Sequence, residues 1–220
     1  MAEASTMTQS PGLASRDGDR LTVSYGNQPV AEFNAPYAKW VFAGAIELTD
    51  ADGHKDRLAV VSISEGEIDY SAIIRRNGTL VLLDETIIAS PDGRHIASGY
   101  GGTEWDSSLT VVDWAGDAAP VLKRFNANCA PTGWLGNAAF LAACARDEDD
   151  SLSTVAKITA SPTGVWHLSE MRKLAEGASD NDILKTIKLR EEDSRLIRSD
   201  PKNDNAYVTK NGYRRLVTMP

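Results

Sequence analysis

Ile87-Ile88-Ala89-Ser90-Pro91-Asp92-Gly93-Arg94-His95-Ile96-Ala97-Ser98 reads as two strands joined by a tight Pro-Asp-Gly turn. A glycine-rich loop then leads to a third strand, Leu109 to Val112, which ends in Asp113-Trp114-Ala115-Gly116-Asp117. A fourth strand, Val121 to Arg124, follows. The segment therefore packs four short antiparallel strands into about forty residues.

A unit of that size and strand order is one blade of a β-propeller. Ser90-Pro91-Asp92-Gly93-Arg94 followed by a small apolar strand resembles the repeats of TolB-type and prolyl-oligopeptidase-type propellers, over residues 87–124 only. The resemblance implies an all-β chain of consecutive four-stranded antiparallel units, propeller-like, with four or five blades and possible incompleteness of the ring. A two-sheet β-sandwich built from the same hairpins is the alternative. Folds of this kind host many activities, so the resemblance speaks to architecture.

Three further segments echo the best one in strand order and spacing. Their second strands are expected at Leu58 to Val61, Phe140 to Ala143 and Leu196-Ile197, and their third at Ala72 to Ile74, Thr154 to Ala156 and Tyr207-Val208. Their fourth strands are expected at Leu80 to Leu83, Val165 to Leu168 and Leu216-Val217. The anchors Leu58, Ile96, Phe140 and Leu196 are separated by roughly 38, 44 and 56 residues; the first two steps fit propeller periodicity and the third holds an insert. Asn77-Gly78, Asn211-Gly212 and Gly26-Asn27 supply the positive φ that tight hairpins need. The first hairpin, Leu21 to Phe33, shows no strand before it and is expected to pair with the C-terminal repeat. His167 to Gly177 carries helix formers and a terminal glycine, which predicts one or two helical turns.

The 220 residues hold 23 Lys and Arg against 31 Asp and Glu, a formal net charge of −8. Phosphate-backbone affinity needs clustered cations, so nucleic acid is not expected as a partner, nor is an anionic membrane surface. A basic protein partner fits this charge. No apolar run approaches the ~20 residues that span a bilayer. Met1 to Ser15 is small and polar, without the apolar stretch of a secretory leader. It reads as a disordered or vector-derived tail ahead of a single all-β domain over 16–220. The protein is then cytoplasmic, or it has lost a leader and works in the periplasm or outside the cell. Envelope proteins commonly carry repeats of this resemblance, which points to the periplasm.

Cys129 and Cys144 are the only cysteines. A disulfide forms if their Cα atoms come within about 6 Å. It would tie the end of one repeat to the second strand of the next, closing a loop of roughly fifteen residues worth ~3 kcal/mol. The alternative is two buried reduced thiols. Neither has a CxxC partner or an adjacent histidine, so metal binding and nucleophilic catalysis lack support.

Asp147-Glu148-Asp149-Asp150 is either a solvated loop tip or a docking patch for a basic partner, where charge raises association rate more than affinity. Trp105 and Asp106 lie in the glycine-rich loop, where an exposed tryptophan is an interface anchor and a folded-back one covers the core. Trp114, Trp134 and Trp166 sit in or beside strands and are expected between sheets. Asp50, Asp52 and Gly53 hint at a calcium loop but lack its later oxygen ligands, and read as a turn. His54, His95 and His167 lie in different units without metal-ligand spacing. No GxSxG, GxxxxGK[ST] or HExxH motif is present, and no catalytic residue, metal or cofactor is assigned.

The reading is a non-enzymatic protein-binding module, in the manner of bacterial inhibitors and immunity proteins that neutralise a basic toxin or hydrolase. Its partner-binding residues are Trp105, Asp106, Asp147, Glu148, Asp149 and Asp150. The alternative is a small propeller enzyme, a lactonase or glycan-acting hydrolase, with Asp84, Glu104 and Asp113 gathered at one mouth around a divalent metal.

Overall fold

The computed structural model describes residues 2–34, 39–65, 68–101, 109–146, 149–173, 195–197 and 206–207. It is all-β but for one helix, α1 (Ala2–Gln9). The strands fall into two compact units. Unit 1 takes Met1–Glu85 and Trp114–Pro120; unit 2 takes Thr86–Asp113 and Val121–Tyr207.

Unit 1 contains β1 (Ala14–Asp17), β2 (Arg20–Tyr25) and β3 (Gln28–Phe33), a three-stranded antiparallel meander. Gly26 and Asn27, at φ 57° and 65°, make the two-residue turn between β2 and β3. The first hairpin thus has a strand of its own before it: β1 pairs along β2, because Arg16 and its neighbours are already extended beside Leu21. A second meander follows, with β4 (Lys39–Thr49), β5 (Lys55–Glu65), β6 (Ile68–Ile74) and β7 (Leu80–Asp84) in sequence order.

Unit 2 holds two meanders. One contains β8 (Thr86–Ala89), β9 (His95–Gly99), β10 (Leu109–Asp113) and β11 (Val121–Phe125). The other contains β12 (Cys129–Trp134), β13 (Ala139–Arg146), β14 (Asp149–Ala160) and β15 (Trp166–Lys173). The expected second, third and fourth strands of these units form in the expected order. The fourth repeat does not. Its pieces β16 (Arg195–Ile197) and β17 (Ala206–Tyr207) add as fifth strands, β16 beside β15 and β17 beside β11. Both are two or three residues long, too short for a sheet of their own, and each takes a free edge. The expected strand Leu216-Val217 and hairpin Asn211-Gly212 lie outside the described residues.

The helical turns expected from His167 onward are instead strand β15 as far as Lys173; residues 174–177 lie outside the described residues. Trp166, Leu168 and Glu170 stand opposite Ala160, Ile158 and Ala156. Helix propensity differs by a few tenths of a kcal/mol per residue, whereas burying Trp166 to 3% exposure supplies several times that. The segment expected as an N-terminal tail likewise carries α1, whose Glu3 bonds to Arg16 and to the Phe42 amide.

Leu58 to Val61, Ala72 to Ile74, Ile96 to Gly99, Leu109 to Val112 and Ala139 to Ala143 are buried without alternation. Four-stranded antiparallel sheets of this kind fit a propeller-like arrangement and a sandwich alike. In unit 2 the core gathers Ala97, Leu109, Val111, Phe125, Phe140 and Ile158 around Trp166.

The turns repeat one design. At Ser90, the backbone N–H donates to His95 O (2.8 Å) and Gly93 N–H to Ser90 O (2.8 Å), with Gly93 at φ 72°. The Ser90 hydroxyl donates to Asp92 Oδ1 (2.6 Å) and accepts the His95 N–H (3.0 Å), so serine and aspartate together replace the missing ladder. Ser161-Pro162-Thr163-Gly164 does the same between β14 and β15, with threonine in place of aspartate.

Tyr25 joins the two meanders of unit 1. Its hydroxyl donates to Ile74 O (2.5 Å) and accepts the Ala59 N–H (2.8 Å). Burial pushes its pKa up to about 12 against the opposing bond from Ala59. Tyr25→Phe removes both bonds and strands a buried amide, an expected loss of about 2–3 kcal/mol read as a lower denaturant midpoint. Because the folded pKa exceeds the unfolded one near 10, the phenol's contribution is full below pH 10. It is lost as pH rises towards 12, and Tyr25→Phe should flatten that alkaline limb.

Candidate functional site

At one end of unit 2, four strand termini are locked together. β9 ends at Gly99, where a Cβ would stand 2.1 Å from Cys129 O and 3.2 Å from Leu109 Cδ1, so only glycine admits this approach. Leu109 and Cys129 both donate their amides to Ala127 O, at 3.1 and 3.0 Å. Cys129 and Cys144 are register partners on β12 and β13 and are joined by a disulfide, with Cα atoms 3.9 Å apart. The bridge was expected to join two repeats. It joins the first two strands of one sheet instead, because Cys129 opens β12 rather than trailing β11.

Two connections leave from this end. The β9–β10 connection starts beyond Gly99 and returns at Leu109, beside Cys129. The β13–β14 connection starts at Arg146, two residues past Cys144, and its register partner is Asp149. These are the two segments nominated from sequence. Trp105, Asp106, Asp147 and Glu148 lie outside the described residues; Asp149 and Asp150 begin β14. The structure brings together the anchors of both segments, which are some forty residues apart in the chain.

The opposite end of unit 2 carries a constellation that sequence reasoning saw only in pieces. His95 Nδ1 lies 2.8 Å from Asp113 Oδ1, the two being cross-strand partners on β9 and β10. The imidazole meets the edge of Trp166 at 5.3 Å and lies nearly parallel to Trp134 at 6.3 Å. Trp134 donates its indole N–H to Ile88 O (3.2 Å) and tilts on Phe140 at 5.0 Å. Trp134 and Trp166 thus pack in the unit 2 core as expected. The signal in the sequence was the register: with Ser98 opposite Thr110, His95 must face Asp113.

Neighbouring Asp92 serves the turn. Burial pushes its carboxyl up, but the Ser90 hydroxyl, the Arg94 amide and the charge of His95 outweigh that and hold it below the ordinary carboxylate value. Ser90 Oγ bonds to the backbone of His95 and not to its ring, so no Ser-His-Asp relay is assembled here.

Asp50, Asp52 and His54 come within 4.8 Å of one another in unit 1. Asp50 Oδ1 accepts the amides of Asp52 (3.0 Å) and His54 (2.8 Å), and Oδ2 faces His54 Nδ1 at 3.4 Å. The His54 amide is the main cause of a lowered Asp50 pKa. Both carboxylate oxygens hold the β4–β5 turn, as the turn reading predicts. Trp114 lies under the Arg75 guanidinium at 5.2 Å, and Arg75 donates to Asp117 O (3.0 Å) and Ala118 O (2.7 Å). Of the acids nominated for a catalytic mouth, Asp113 is engaged by His95, Asp84 ends β7 in unit 1, and Glu104 lies outside the described residues.

Among the described residues no helix is long and apolar enough to cross a membrane. Comparison with family models, curated proteins and solved structures finds no match to this chain.

Cys129→Ser is expected to cost about 3 kcal/mol, by removal of a roughly fifteen-residue cross-link, and to lower the melting temperature by several degrees. Hydrogen exchange should rise first along β12 and the Cys144 end of β13. Gly99→Ala should cost about 1–3 kcal/mol without changing the disulfide, measured by denaturant midpoint and by non-reducing mass.

Proposed function

We propose that this chain is a non-catalytic protein-binding module that works outside the cytoplasm and engages a basic partner through the disulfide-locked end of unit 2. The observation that carries this reading is the convergence of anchors there. Gly99, Leu109, Cys129 and Cys144 hold the roots of the β9–β10 and β13–β14 connections side by side. Rigid strands presenting paired connections are the usual ground for recognition. Trp105 is the anchor in this reading, and Asp106 with Asp147, Glu148, Asp149 and Asp150 supplies the charge.

The net charge of −8 supports a cationic partner, since complementary fields raise association rates and suppress like-charged competitors. A bacterial inhibitor or immunity protein that neutralises a basic toxin or hydrolase has this chemistry. The disulfide supports a periplasmic or secreted location, because such bonds persist in oxidising compartments.

The test is capture from the native host at low salt, followed by kinetics on the partner retained. Trp105→Ala should weaken the complex on the order of thirtyfold, mostly through faster dissociation. Replacing Asp147, Glu148, Asp149 and Asp150 by Asn or Gln should slow association about tenfold at low salt, and the difference should vanish at high salt. Retention of no protein, or retention indifferent to both sets of changes, overturns the reading.

A further inference from the structure

The bond between Cys129 and Cys144 closes the end of a ladder. Cys129 is the first residue of β12, the outer strand in the order β12-β13-β14-β15-β16. Inward from the bridge the register runs on through Ala130 and Ala143 to Pro131 and Ala142. Outward, β13 continues only to Arg146, and its register with β14 shifts on both sides of Ala145. The bridge therefore ties the root of the β13–β14 connection to β12 just where regular pairing runs out.

The two cysteines are unequally covered. Cys129 is 1% exposed and belongs to the unit 2 core, whereas Cys144 is partly buried at the margin of that core. A thiolate from solution meets the bridge on the Cys144 side. Behind Cys129 stands the other root. Its amide shares Ala127 O with the amide of Leu109, and its carbonyl lies against Gly99. Movement of Cys129 thus reaches the β9–β10 connection as well. The sheet itself does not hang on the bond: β12 and β13 keep their pairs from Ala130–Ala143 to Trp134–Phe140, where the two rings pack at 5.0 Å.

We propose that this disulfide is a redox switch for the binding end of unit 2, an inference that rests on the reading of that end as the binding site. Oxidised, it holds the roots of both connections in place for the partner; reduced by a dithiol, it releases them while the sheets stay folded. The partner is then held where disulfides persist and let go where they are reduced. In the first step a thiolate of the reductant bonds to Cys144 Sγ as the S–S bond breaks. Cys129 Sγ leaves with the bonding pair and takes a proton. The reductant's second thiol next displaces Cys144 Sγ, so two electrons pass to the protein and the reductant is left as a disulfide. That second thiol is needed because Cys129, still opposite Cys144 in the ladder, re-attacks the mixed disulfide.

Without denaturant, dithiothreitol should reduce the full chain, read by mass as two added maleimides, and leave the far-UV circular dichroism of the sheets unchanged. Reduction that needs denaturant, or that takes the sheet signal with it, overturns the proposal. On the native fold, Cys144 in Cys129→Ser should take maleimide on the order of tenfold faster than Cys129 in Cys144→Ser; equal rates overturn attack at Cys144 and the switch with it. Reduction of the wild type should speed exchange of the Leu109 amide on the order of tenfold and leave Val60 and Val61 in unit 1 unchanged. Unchanged exchange at Leu109 overturns the switch. The partner retained by the oxidised chain should bind the reduced chain on the order of tenfold more weakly, since the roots must then be ordered on association. Cys129→Ser combined with Cys144→Ser should match the reduced chain and ignore the reductant. Equal retention by oxidised and reduced chains overturns the switch and leaves the binding reading standing. Retention of no partner by the oxidised chain overturns the binding reading, and this inference with it.

Discussion

The middle strands of this protein run with both faces covered, and that single condition governs the rest of the structure. Where Ile96 to Gly99 or Ala139 to Ala143 passes through the interior, no water reaches the backbone. Every N–H and C=O there must be met by a neighbouring strand, since an unmet buried group costs about 1–3 kcal/mol. The shortest chain path that meets this demand is the meander, each strand turned back at once on the last. The demand then passes to the turns, where the ladder stops, and to the outer strands, where it has only one side.

The turns meet it with a small set of residues used repeatedly. Ser90 with Asp92 and Ser161 with Thr163 close their hairpins through side-chain oxygens that stand in for backbone partners. Asp50 does the same work through one carboxylate. The consequence for function is that many of the polar groups that look chemically promising are committed to holding corners. Asp92 and Asp50 have lowered pKa values because they accept hydrogen bonds as carboxylates, a structural use that imitates the electrostatics of an active site. The same logic applies to the edges: Glu3 and Arg16 spend their charges on the backbone of β4.

What distinguishes one end of unit 2 is the density of constraints on its strand termini. A glycine admitted to within touching distance of a carbonyl, two amides sharing one acceptor and a disulfide all fall within a few residues of two nominated connections. Such rooting lowers the entropy that a binding segment loses on association, because its ends are already placed. The His95–Asp113 pair at the other end is held equally well, against Trp134 and Trp166, and there the effect is to seal the core between the hairpins.

The amino-acid sequence alone determined the second, third and fourth strands of three units and their order. Residue patterns at Leu58, Ile96 and Phe140 and the Pro-Asp-Gly and Asn-Gly turns are local signals, and local signals survive without knowledge of contacts. They left Cys129 and Cys144 open between a bridge and two buried thiols, and the cross-strand register settled it. Tertiary structure alone decided which strand belongs to which sheet. Cys129 reads as the tail of one repeat but opens the next sheet, because its register partner Cys144 is fifteen residues away and invisible locally. Leu196 and Tyr207 read as members of a fourth repeat, yet pair at the edges of earlier sheets, where free backbone was waiting. His167 to Lys173 has helical composition and is a strand, since a neighbouring strand and a buried tryptophan outweigh a weak propensity. The acids at 147–150 and Trp105 were legible as residues, but not the proximity of their anchors, which depends on Gly99 meeting Cys129 across two sheets. Periodicity reports what each segment is; only long-range packing reports what it touches.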